Sequence, residues 1–204
     1  MIRGIESKPN NDPCTKKIMV YMDGQNLFKG ARDAFGYHTP DYDVLALGQY
    51  VADKIGGCVV DIYFYTGIHA PEVNWRLHRF WRTKLSRLER QGVKVYCQQL
   101  QYIRNATTGD IEEVREKGID TAIAFDIALH TVENKFDVAV LFSQDTGDFG
   151  GIARKIKEIA QQQNRIIPLY SVFPYSKNMS CARGVKDTQW LKITKSEYDR
   201  CRER

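Results

Sequence analysis

Short apolar runs alternate with longer stretches of helical period along this chain, and that alternation limits the fold more than any other feature. Lys17-Ile18-Met19-Val20-Tyr21-Met22-Asp23 is an apolar run closed by an acid, the pattern of a buried strand. β-branched and aromatic residues mark a second strand over 58–66, and further strands are expected over 93–98, 137–143, 165–170 and 188–194. Between them, helices are expected over 26–35, 43–56, 72–91, 118–134 and 148–163. The polar stretch 99–116, with its turn signal Thr107-Thr108-Gly109-Asp110, predicts a hairpin or flap, and 174–186 a loop or short helix. Alternating β and α units imply an α/β fold: a mainly parallel central sheet with helices on both faces. In such sheets functional groups collect outside the carboxyl ends of the strands, near a topological switch point.

The length of 204 residues suits one domain, read as a flexible lead-in over 1–16, the domain over 17–195 and a polar tail over 196–204. No apolar run is long enough to span a membrane, and the N-terminal residues lack the apolar core of a secretory signal. The cysteines (Cys14, Cys58, Cys97, Cys181 and Cys201) are odd in number and form no CxxC pair. They read as reduced thiols of a cytoplasmic protein rather than as a disulfide framework or zinc site. The net charge of +5 is concentrated late: residues 151–204 carry 12 Lys and Arg against 5 Asp and Glu. A basic region beside an acidic pocket suits a polyanionic ligand, although a solvated basic surface would look the same. On the 72–91 helix, Leu77, Trp81, Leu85 and Leu88 fall on one arc, the expected core stripe. Arg76, Arg79, Arg87 and Arg90 fall opposite, as a solvated face or a phosphate-contacting stripe.

Three segments carry acids that could do chemistry. In Asp23-Gly24-Gln25-Asn26 an acid at a strand end precedes a glycine turn and a helix start. Asp23 is a candidate hard-oxygen ligand for Mg²⁺ or Mn²⁺, with Asn26 orienting water or phosphate or merely capping the helix. In Lys117-Gly118-Ile119-Asp120 the acid opens an apolar helix, so it is either a metal ligand or a cap favoured by the helix dipole. Asp126 lies about 240° further round that helix and is expected only as a supporting residue. In Ser143-Gln144-Asp145-Thr146-Gly147-Asp148 two acids sit at a strand-to-helix junction. Asp145 reads as a ligand, and Asp148 as a first-turn acid with a simpler electrostatic explanation. Carboxylates around a hard cation suit phosphodiester hydrolysis, because the metal activates water and offsets phosphate charge.

In this order and spacing the three segments resemble the NYN domain of the PIN-like nuclease superfamily, and more narrowly its LabA-like branch. Asp23-Gly24-Gln25-Asn26 matches the family's DGxN motif, Lys117-Gly118-Ile119-Asp120 its Lys-Gly-Val-Asp helix start, and Asp126 its mid-helix Asp. The junction resembles a Ser-Gly-Asp-Ser-Asp-Phe motif, with Gln144 in place of glycine and the acids three apart rather than two. The ending Trp190-Leu191-Lys192-Ile193 is also similar, so the likeness covers about 17–194. It implies a three-layer α/β/α, Rossmann-like sandwich and a divalent-metal nuclease acting usually on RNA. Asp23, Asp120 and Asp145 would be the ligands, Asn26 and Asp148 supporting residues.

The expected function is therefore a metal-dependent endoribonuclease whose RNA backbone is held by Arg76, Arg79, Lys155, Arg183 and Lys186. RNA is favoured over DNA, and a homodimer is left open. The alternative is an NYN-fold nucleic-acid-binding regulator with little or no activity, suggested by the altered 144–148 junction. No GxGxxG or GxxxxGK[ST] follows the first strand, which argues against a nucleotide-binding Rossmann enzyme.

Overall fold

A computed structural model describes residues 16–145, 149, 151–179 and 182–203. The elements in chain order are β1 (Lys17–Asp23), α1 (Gly24–Phe35), α2 (Val44–Ile55), β2 (Cys58–Ile68), α3 (Pro71–Arg90), β3 (Lys94–Gln99), β4 (Gln101–Arg104), β5 (Ile111–Arg115), α4 (Ile119–Val132), β6 (Val138–Phe142), α5 (Ile152–Gln162), β7 (Leu169–Pro174), β8 (Gln189–Ile193) and α6 (Lys195–Asp199). Six strands make one parallel sheet in the order β3-β2-β1-β6-β7-β8. The chain winds outward from β1 through β2 to β3, then crosses to the other side of β1 at β6. That reversal opens a crevice between the carboxyl ends of β1 and β6.

Strand alternation builds the layers. Ile18, Val20 and Met22 of β1 enter one core with Leu27 of α1, Leu47 and Val51 of α2, and Trp81, Leu85 and Leu88 of α3. Met19 and Tyr21, on the opposite face, enter a second core with Ile123 and Ile127 of α4 and Ile156 and Ala160 of α5. Helices thus cover both faces, and the sheet is the middle layer of an α/β/α sandwich. β4 and β5 pair antiparallel as a separate hairpin.

Several local expectations are corrected. β7 begins at Leu169 rather than Arg165. Pro168 has no N–H for the ladder and contributes its carbonyl to Ala139 N at 3.1 Å, while Ile166 is 94% exposed. Leu77 is 41% exposed instead of joining the core stripe. It follows Asn74, whose non-helical φ −150 and ψ 84 kink α3, so the stripe of the later turns does not extend back through it. Lys84 is buried on that stripe, its Nζ bonded to Pro40 O and Glu203 Oε1, each at 2.7 Å. The stretch 196–204 is not a loose tail in its described part: Tyr198 is fully buried and Arg202 bridges to Tyr42. Cys58 is disulfide-bonded, against the expectation of reduced thiols, while Cys97 and Cys201 are free. The thiol pattern therefore gives no support to a reducing compartment. The lead-in expected before residue 16 lies outside the described residues. No helix among the described residues is long and apolar enough to cross a membrane.

Candidate functional site

Asp23 ends β1 at the switch point, paired with Tyr65 of β2 on one side and following Met22, which pairs with Phe142 of β6 on the other. It is 4% exposed. Its carboxylate caps α1, Oδ1 accepting from Asn26 N at 2.9 Å, so Asp23 and not Asn26 is the capping residue. Asn26 instead ties the turn to the β6 junction, its Oδ1 accepting from Gln144 N at 2.9 Å. Gly24 is required by close approach: an added Cβ would lie 2.5 Å from Phe64 Cζ and 3.1 Å from the Tyr65 carbonyl. Tyr42 OH donates to Gly24 O at 3.0 Å and Gln25 Nε2 to Gly67 O at 3.2 Å, which pins the turn from two directions.

The second acid segment meets the first. Gly118 adopts φ 83 and is itself the N-cap of α4, without a side-chain capping bond. Asp120 therefore sits inside the first turn and does not cap its helix. It lies near enough to Asp23 to raise that carboxyl's pKa. Glu116, at the foot of the hairpin, joins them; its Oε1 accepts from Gly67 N, and Asp120 raises its pKa in turn. Burial is the largest cause for both groups, and Lys29 opposes it at both. Asp23 is pushed up to about 7, even though the Asn26 N–H favours its ionised form. Asp126 stands apart, accepting from Tyr65 OH at 2.7 Å.

The third segment leaves β6 across the crevice. Ser143 is buried, its carbonyl accepting from Ser171 Oγ at 2.7 Å, and its Oγ accepts from Asp145 N at 3.1 Å. Gln144 Nε2 reaches Arg183 O at 3.3 Å, which brings the 182–185 loop to the same end of the sheet. Asp148 lies outside the described residues.

The NYN domain model matches residues 17–167. The chain belongs to the NYN domain family. No curated protein matches it. A solved structure of MurG from Acinetobacter baumannii is similar at a TM-score of 0.32 and 12% identity. That likeness covers 88% of this chain and 45% of the MurG chain, and at this score it carries no argument.

Within the NYN domain Asp23, Glu116 and Asp120 are the carboxylates near enough to act on one another's charge. Glu116 was missed by sequence reasoning, because it sits in a charged run, Glu112-Glu113-Val114-Arg115-Glu116-Lys117, that reads as solvated. Among the described residues no three His, Cys, Asp or Glu side chains are disposed to hold one ion. The donor set nonetheless suits a hard cation in kind: it is all carboxylate oxygen, and Asp23 and Glu116 each spend one oxygen on a backbone N–H. The basic residues are spread out. Arg76 and Arg79 line a groove on α3, Arg183 and Lys186 are exposed on the loop beyond the junction, and Lys155 pairs with Glu158 at 2.9 Å on α5.

Proposed function

We propose that this NYN-domain protein is a divalent-metal-dependent endoribonuclease that hydrolyses RNA phosphodiester bonds at the carboxyl end of β1. The observation that carries this reading is the burial of Asp23 at the end of β1 with Glu116 and Asp120 near enough to act on its charge: burial first, and then these two acids, push its pKa up to about 7. Buried carboxylates in this state gain a partner when a hard cation joins them. Bound Mg²⁺ or Mn²⁺ would supply an activated water and positive charge for the scissile phosphate. Asp23 and Asp120 would hold it, with Asp145 reaching from across the switch point, and Asp148 would be a supporting acid.

The remaining roles fall to groups already fixed in place. Glu116, whose raised pKa suits proton uptake, is oriented by the Gly67 N–H. Asn26 holds the Gln144 backbone and so sets the junction carrying Asp145. Lys29 adds positive charge beside the acids. Arg76, Arg79, Arg183 and Lys186, with Lys155, would contact the backbone of RNA, favoured here over DNA.

Incubation of the purified protein with labelled RNA tests the reading. Cleavage should appear with Mn²⁺ or Mg²⁺, stop with EDTA and be abolished by Asp23→Asn, while Asp126→Asn retains it. Cleavage that persists in EDTA would sink the metal mechanism. Tight RNA binding without cleavage in any metal would instead support an NYN-fold binding regulator.

A further inference from the structure

We infer that the exposed face of α3 is a stacking platform for a single-stranded polynucleotide, leading one unstacked base into the cavity beside the Gly24–Gln25 turn. This deepens the nuclease reading and rests on it for where the strand ends. It is carried by side chains that the acid site does not use.

Two large rings are left in solvent on α3: Trp75 is 59% exposed and Phe80 43%. The Arg76 guanidinium lies 5.6 Å from the centre of the Trp75 ring. Arg76, Arg79 and Arg87 line a groove of about 480 Å³ with these rings. The acid in the groove, Glu203, is already paired with Lys84 and Arg87, so the face is net cationic. Phe80 also lines a second cavity of about 270 Å³, whose wall includes Gly24 and Gln25, the residues following Asp23. One ring thus joins the groove to the neighbourhood of the acids.

That second cavity is built to hold a flat group. Phe28, Trp81, His38 and His69 contribute rings to its lining. His69 is held against Tyr102, with ring centres 6.2 Å apart and planes 29° from parallel. Tyr102 OH lies 3.3 Å from His69 Nδ1 and accepts from Ala70 N at 2.8 Å. Gln25 is fixed through its amide nitrogen on Gly67 O, which leaves the amide oxygen to read a base edge.

The choice of ligand follows from what alternates along the face. Guanidinium groups meet phosphates, and rings between them meet the faces of bases that are not already stacked. A duplex keeps its bases inside and would meet only the cations.

Fluorescence anisotropy with the full chain, in EDTA so that no cleavage occurs, tests this. The probes are a labelled single-stranded RNA of about twelve nucleotides, DNA of the same sequence, and the RNA duplex. Single strands should bind at least tenfold tighter than the duplex. Trp75→Ala and Phe80→Ala should each weaken single-strand binding about ten- to a hundredfold with the salt dependence unchanged. Arg76→Ala with Arg79→Ala should instead reduce the slope of log K against log salt by about 1.4. Equal affinity for single-stranded DNA supports the same platform, since base faces are common to both. Equal binding of duplex and single strand, or a Trp75→Ala protein with unaltered affinity, overturns the inference. So does a Trp75→Ala protein that changes its sedimentation but not its RNA affinity, because the rings would then serve a protein contact. Far-ultraviolet circular dichroism checks that each variant is folded. Binding as described without metal-dependent cleavage would remove the nuclease reading and leave this one standing.

Discussion

Asp23 meets two demands that pull its charge in opposite directions. As the cap of α1 it is favoured ionised, because it accepts the Asn26 N–H at the positive end of the helix. Burial, Glu116 and Asp120 favour it protonated, and they prevail, pushing its pKa up to about 7. The unfolded value is near 3.9, so the folded state binds the proton more tightly. Stability from this group is greatest at acid pH, falls as pH rises from about 4 to 7, and stays lost above. Asp23→Asn keeps a capping oxygen but carries no charge. In EDTA at pH 8 it should be more stable than the parent by about 1–3 kcal/mol, with the difference shrinking toward pH 4. Urea denaturation at the two pH values checks this. Added Mn²⁺ should raise the parent's midpoint and not the variant's. A variant less stable than the parent at pH 8 would show that the cap outweighs the repulsion.

At the scale of elements, the β4–β5 hairpin matters because Glu116 follows directly from it. Tyr102 of β4 anchors the hairpin to the α3 side, its hydroxyl accepting from Ala70 N at 2.8 Å. Tyr102→Phe leaves that N–H unpaired and should cost about 1–2 kcal/mol. The loss should appear locally as faster amide exchange over 101–115, with the central strands unaffected; unchanged exchange there would show that the Glu116–Gly67 bond alone holds the hairpin. The hairpin itself was legible from its polar stretch and turn residues. So was the placement of Asp23, because an acid closing an apolar run is a local pattern. Glu116 was not, since its burial depends on an N–H of β2 far away in sequence. The kink at Asn74 was equally hidden: no proline or glycine marks it, and periodicity alone carried Leu77 into a core it does not enter. Asp120 was legible as an acid at a helix start. Its capping alternative fell only once Gly118, at φ 83, was found to occupy the cap.

At the scale of the whole molecule, the family match ends at 167, yet the chain completes its sheet and both cores after that point. α6 inserts Tyr198 among Phe35, Tyr37 and Tyr42, at ring distances of 5.4, 5.7 and 6.5 Å. Tyr42 in turn donates to Gly24 O, so the last helix is two contacts away from the Asp23 turn. Glu203 supplies the carboxylate for Lys84, whose side chain is 3% exposed on α3. Removing that partner leaves a buried ammonium bonded to the Pro40 and Tyr42 carbonyls. Tyr198→Ala should therefore cost about 3–5 kcal/mol as a large buried ring is lost, and Glu203→Gln less, because its amide oxygen still accepts from Lys84. Chemical denaturation of the full chain measures both. Glu203→Gln, at temperatures where it is folded, should keep its cleavage rate at saturating RNA, since the site acids are untouched, while the groove it lines loses a negative charge. Tyr198→Ala should lose rate earlier on warming than the parent, as the aromatic group under the Gly24 turn loosens. Equal thermal profiles for the two proteins would mean that the C-terminal helix closes the core without bracing the site.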